Sequence, residues 1–152
     1  MIADGPERSD EQIGGAGVPG QEPMSAAEGA PLIPEGLYDV QTLRLERRKL
    51  WGASKSMISC EVVGGEYDGV GLIWCATSLP KGRRPPISSK MYRTIVMALD
   101  RRPERGERVS EGLLVHKMFR ASVRTVTKGA DGHLLPPAAR YSVIDAFVER
   151  IA

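Results

Sequence analysis

Residues 34–50 read PEGLYDVQTLRLERRKL. Tyr38 and Val40 alternate with polar neighbours at the period of two that a half-buried strand requires, and Leu43 and Leu45 continue on the opposite parity. A change of parity inside one strand means one extra residue, so the segment predicts a long first strand bent by a bulge.

The stretch that follows, WGAS at 51–54, reads as a turn, which makes residues 46–56 the expected loop between the first two strands. Residues 57–63 alternate with Ile58, Cys60 and Val62 on one face, and residues 70–77 alternate with Leu72, Trp74 and Ala76. Gly64 and Gly65 supply the hairpin turn between them. Ser88 or Ser89 can cap a helix that carries Met91, Ile95, Ala98 and Leu99 on one face, with Pro103 and Gly106 expected to stop it. Phe119, Ala121 and Val123 alternate in a fourth strand. The end, RYSVIDAFVERIA, reads as a short fifth strand followed by a brief terminal helix.

Three strands, a helix and two strands are the element order of an OB-fold, a five-stranded, partly open barrel. The bent first strand suits the curvature such a small barrel needs. The expected fold class is therefore mainly β: a five-stranded OB-fold-like barrel over residues 34–152, with one helix between strands 3 and 4 and a disordered N-terminal tail over residues 1–33. An α+β sheet with one covering helix would give the same string of elements.

Charge separates the two parts. Residues 1–34 hold one arginine against six acids, a net of −5, in a Gly-, Pro- and Ala-rich context with too little apolar surface to offset the entropy of ordering. Residues 35–152 carry twenty Lys/Arg against thirteen Asp/Glu, a net of +7, and the natural partner of such a surface is a polyanion. The acidic tail is expected to compete with that partner. No apolar run approaches the roughly 20 residues of a membrane span, and the first residues lack a signal-peptide pattern, so a cytoplasmic protein is expected.

Catalytic signatures are missing. The sequence holds no P-loop, nucleophile elbow, HExxH or dinucleotide fingerprint, and Cys60, Cys75, His116 and His133 have no metal-ligand spacing. Both cysteines sit in strand-like apolar surroundings and are expected to pack. Glu61 and Asp68 are the only pair considered for a Mg²⁺-dependent nuclease, and a soluble turn accounts for them equally well. The chain is expected to be non-enzymatic and to need no cofactor.

Single-stranded nucleic acid fits what remains, because it is held by cations along a groove and by flat side chains on which bases stack. The cations are Arg47, Arg48, Lys49 and Lys55; Lys81, Arg83 and Arg84 in the Pro-stiffened stretch LPKGRRPPISSK, 79–90; and Arg124 and Lys128. The stacking candidates are Trp51 first, then Tyr67, Tyr92 and Trp74, although Trp74 alternates with Leu72 and so favours the core. Arg101, Arg102, Arg105 and Arg108 are interleaved with Asp100, Glu104 and Glu107 and read as a self-paired, solvated surface.

PEGLYDVQTLRLE, CEVVGGEYDGVGL, SSKMYRTIVMAL, FRASVRTVTKG and YSVIDAF together resemble a family of small single-stranded-DNA-binding accessory proteins of phages, plasmids and integrative elements. The likeness covers about residues 34–148. It implies an OB-like barrel that binds single-stranded DNA, with RNA an alternative, during replication or recombination of a mobile element. It also implies replication or recombination proteins as partners and self-assembly that extends the track. The acidic, apolar-ended C-terminal tail of bacterial single-strand-binding proteins has no counterpart in AFVERIA. The competing expectation is an adaptor that docks on a replication or conjugation protein through a sheet edge or the Met-bearing helix.

Overall fold

The computed structural model describes residues 30–50, 52–81, 85, 86 and 88–152, without the side chain of Leu50. Within these residues the chain is mainly β, with five strands in one sheet and one α-helix. The strands are β1 (Gly36–Leu50), β2 (Ala53–Val62), β3 (Gly71–Thr77), β4 (Met118–Val126) and β5 (Tyr141–Arg150), and the helix α1 (Lys90–Leu99) lies between β3 and β4 in sequence. The expected tail falls almost entirely on residues outside this description.

The strand order is β1-β2-β3-β5-β4. β1 pairs antiparallel with β2 and, through Gly36 to Gln41, with β4; β2 pairs antiparallel with β3; β3 meets β5 at one parallel bridge, Trp74 to Ile144. The β1–β2 register shifts between Thr42 and Arg44, which puts the bulge at Leu43, inside the parity change. The bulge leaves Leu43 exposed and Thr42 buried. The Thr42 hydroxyl donates to the Leu114 carbonyl at 2.5 Å and accepts from the Lys117 N–H at 2.9 Å, fastening the segment ahead of β4 to the bend.

The chain divides into two compact units. One comprises Gly36–Val123 and Ile144–Ala152. Its core is made by Val40, Ile58, Val62, Leu72, Trp74, Ile95, Phe119 and Phe147, the inward positions of the alternating strands and of the helix. α1 begins at Ser89, whose hydroxyl accepts from the Tyr92 N–H, and it buries Met91, Thr94, Ile95 and Ala98. The helix ends at Asp100, a left-handed residue with φ 59° whose N–H donates to the Met97 carbonyl. Pro103, the expected stop, comes three residues after that cap.

The second unit holds residues 30–35 and Arg124–Val143. Ile33 is buried; its N–H donates to the Ser142 hydroxyl at 2.8 Å, and the Ser142 N–H donates to the Pro31 carbonyl at 2.8 Å. Residues 31–33, which composition assigned to the tail, are therefore anchored to β5.

Three local expectations need correction. Residues 46–56 are not a loop: β1 and β2 run on as a ladder through Arg47–Ser56, Arg48–Lys55 and Lys49–Ser54, closing at Leu50–Ala53 around Gly52 at φ 76°. The terminal helix is replaced by strand, because the β-branched and aromatic residues of β5 stay extended and the Ile151 N–H donates to the Met118 carbonyl at 2.8 Å. Of the two cysteines only Cys60 is buried, with its thiol pushed up to about 12 by desolvation; Cys75 points away from the core and is exposed. Among the described residues no helix is long and apolar enough to cross a membrane.

Candidate functional site

The far end of the β1–β2–β3 sheet, beyond the packed core, carries polar residues on its inner face. Ser54 and Ser78 form a floor backed by the buried Ser56: Ser56 and Ser78 hydroxyls are 2.6 Å apart, and Ser54 donates to Ser78 at 3.2 Å. A groove of about 1060 Å³ opens over this floor. Its walls are Leu79, Pro80, Lys81 and Pro85 after β3, the exposed side of α1 and the loop between α1 and the short 3-10 helix Glu111–Leu114.

Glu111 holds the floor together. Its side chain is fully buried, yet it accepts from Arg47 Nε at 2.9 Å, from Ser56 Oγ at 2.6 Å and from the Leu79 N–H at 2.6 Å. A buried carboxylate is tolerable only when paired and hydrogen-bonded, and here it is both. It ties β1, β2 and the segment after β3 to the 3-10 helix.

The walls are cationic. Lys81, Arg93, Arg102 and Arg105 line the groove, are exposed and have no acidic side-chain partner among the described residues. Arg47 lines it as well, half exposed and paired with Glu111. Of the lining acids, Glu111 is matched by Arg47 and Glu107 by Arg101, which leaves Glu104 alone against four cations. Tyr92, in the first turn of α1, is the aromatic lining residue and is half-buried, and Leu79, Pro80, Pro85, Val96 and Pro103 supply the apolar part of the same lining.

The Arg101–Glu107 clasp shapes one wall. Both guanidinium nitrogens donate to the Glu107 oxygens at 2.8 Å, and the Glu104 N–H donates to the same carboxylate at 2.7 Å. The Arg101 hydrogen bonds first, then that backbone N–H, hold the Glu107 carboxyl down at about 2. Because the folded value lies below the ordinary one, the clasp contributes fully above about pH 4.5 and is lost as the pH falls toward 2. An NMR titration of the glutamate side chains should find Glu107 still ionised at pH 3.

The structure gathers some of the sequence candidates and separates others. Arg47, Lys81 and Tyr92 meet in the groove. Lys49 shares the ribbon face of Arg47, whereas Arg48 and Lys55 lie on the opposite face, with Lys55 Nζ donating to Thr77 Oγ1 at 2.9 Å. Trp74 is fully buried against Phe147 at 5.0 Å, with Lys90 Nζ 5.4 Å from its ring centroid; it is core and presents no platform to a base. Tyr67 sits in the β2–β3 connection, edge-on to Tyr38 at 6.1 Å, where Glu66 contributes negative charge and burial leads in raising the Tyr38 phenol. Six residues of β2 separate that end from Lys55, about 20 Å. Arg124 and Lys128 are exposed in the second unit. Trp51, Arg83 and Arg84 lie outside the described residues.

Sequence reasoning passed over Arg93, Glu111 and the groove-facing Arg102 and Arg105. The arginines were diluted by neighbouring acids along the chain, and only the folded loop shows that Glu107 is spent on Arg101. Asp68, considered for a metal, accepts from the Gly64 N–H at 2.6 Å and stabilises its own turn. Among the described residues no three His, Cys, Asp or Glu side chains cluster as metal ligands.

Comparison with protein-family models, with curated proteins and with solved structures finds no match.

Proposed function

We propose that this protein is a non-enzymatic single-stranded-DNA-binding protein and that the strand lies in the groove between α1 and the β1–β2–β3 sheet. The observation that carries the reading is the meeting of one half-buried tyrosine with four unneutralised cations over a hydroxyl-rich floor. A base stacks on Tyr92 while Lys81, Arg93, Arg102 and Arg105 hold phosphates. The groove admits flat bases and a flexible backbone; a duplex is about 20 Å across and would need its bases unpaired to reach Tyr92.

The finer architecture belongs to the same proposal. Strand order β1-β2-β3-β5-β4, the bulged β1, the helix between β3 and β4 and the parallel β3–β5 bridge support an OB-fold-like barrel. A role wherever single strands are exposed, in replication or recombination, follows from the ligand.

Fluorescence anisotropy of labelled oligo(dT) tests the reading. Affinity should fall with salt at a slope of about −3, some −0.7 for each of four phosphate contacts. Tyr92→Ala should weaken binding by about 1–3 kcal/mol, roughly 5- to 150-fold. Lys81→Glu should flatten the salt slope as well. Absence of binding at low salt would remove nucleic acid and leave the adaptor reading.

A further inference from the structure

The buried carboxylate of Glu111 fixes the direction of the hydroxyl protons on the groove floor. It accepts from Arg47 Nε at 2.9 Å and from the Leu79 N–H at 2.6 Å, two groups that can only donate, and from Ser56 Oγ at 2.6 Å. A serine hydroxyl has one proton, and Ser56 spends its own on Glu111. The 2.6 Å contact between Ser56 and Ser78 therefore runs from Ser78 to Ser56. Ser78 is left as the acceptor for Ser54, which donates to it at 3.2 Å. The relay reads Ser54 to Ser78 to Ser56 to Glu111, and every proton in it is passed toward the carboxylate.

Ser54 and Ser78 line the groove, whereas Ser56 is buried behind them. The two hydroxyls that the floor presents offer lone pairs and no free proton. Hydrogen bonds in a chain polarise one another, and a chain that ends on a carboxylate makes each oxygen along it a better acceptor. The walls have the opposite character, since Lys81, Arg93, Arg102 and Arg105 only donate. A strand that turns acceptors to the walls and donors to the floor satisfies both. Its phosphates are the acceptors. Among base substituents, the exocyclic amine of cytosine or adenine is a donor, whereas thymine and uracil carry a carbonyl at that position, which meets the floor lone pair to lone pair.

We infer that Ser54 and Ser78 are specificity-determining residues and that the groove prefers single strands whose bases carry this amine, cytosine over uracil or thymine. The inference rests on the single-strand reading of the groove. A carbonyl is accommodated at the floor only if Ser54 or Ser78 turns its proton outward, and either turn breaks a bond that the relay already makes. The preference is therefore the size of one hydrogen bond, about fivefold.

Fluorescence anisotropy at neutral pH with labelled oligo(dC) and oligo(dU) isolates the amine, because the two probes share a backbone and neither carries the thymine methyl group. Oligo(dC) should bind about fivefold more tightly. In variants the quantity read is the ratio of the two affinities, which a general loosening of the groove would not change. Ser78→Ala removes one acceptor and releases the Ser54 proton toward the groove, so the ratio should invert in favour of oligo(dU). Ser54→Ala with Ser78→Ala leaves neither hydroxyl and should make the two probes equal, with circular dichroism confirming that each variant is folded. Equal affinity of the parent protein for the two probes, or a preference for oligo(dU), would overturn the relay as a determinant and leave the single-strand groove standing. So would a preference for oligo(dC) that survives in the double variant. Failure of both probes to bind at low salt removes the groove reading, and the base preference with it.

Discussion

Trp74→Ala is expected to cost about 3–5 kcal/mol of stability, the largest single effect in this molecule. Trp74 is fully buried, packs at 5.0 Å against Phe147, and through Phe147 reaches Phe119 at 4.6 Å. These three rings occupy the centre of the larger unit, and the backbone of Trp74 also makes the one bridge between β3 and β5. Truncation removes the ring's transfer energy and leaves a cavity whose walls are strands, which collapse poorly. Urea unfolding followed by circular dichroism should show the midpoint falling with little change in slope. Trp74→Phe should recover most of the loss, because among the described residues the indole N–H has no hydrogen-bond partner to forfeit. An alanine variant as stable as the parent would mean the aromatic centre is wrongly described.

Glu111→Ala ranks next, at about 3 kcal/mol. The substitution strips the acceptor from the Leu79 N–H and from one side of the Ser56 hydroxyl, and unsatisfied buried groups cost about 1–3 kcal/mol each. The Arg47 contribution is smaller, since its side chain is 52% exposed and water can take over the charge. Glu111→Gln keeps an acceptor oxygen and should lose about half as much. Binding should fall further than stability alone explains, because Glu111 positions both Leu79, at the start of one groove wall, and Arg47. A double-mutant cycle with Arg47→Gln would separate the ion pair from the two hydrogen bonds.

What could be read from the sequence was whatever apolar burial writes into it. The β1 bulge left a parity change, the β2 and β3 cores left Ile58–Cys60–Val62 and Leu72–Trp74–Ala76, and α1 left its cap and its spacing. Among the described side chains at the end of the β1–β2 ribbon, the one that is buried is the polar Ser56, so RRKL and ASKS carried no apolar period and read as loop. The groove was illegible for another reason. Glu111 lies 64 residues from Arg47 and 55 from Ser56, and a lone glutamate in a run of charges gives no hint of a buried hub. Lys81 and Tyr92 were visible individually and Arg93 was not; their meeting required the fold.

The pairing pattern has a consequence for how the chain acquires this structure. β1, β2 and β3 are near neighbours in sequence and can zip locally, but the partner of β1 on its other edge is β4, and Asp39 meets Arg120 across 81 positions. Ile33 waits still longer for Ser142, 109 positions away. Loop closure over such spans precedes any gain from pairing, which puts the molecule among slow folders, in the millisecond-to-second class. Until β4 emerges from the ribosome, the β1 edge from Gly36 to Gln41 stays open for strand addition by any neighbouring chain. The first three strands alone are therefore a client for chaperones, and truncation ahead of β4 would yield an aggregating fragment in place of a smaller domain.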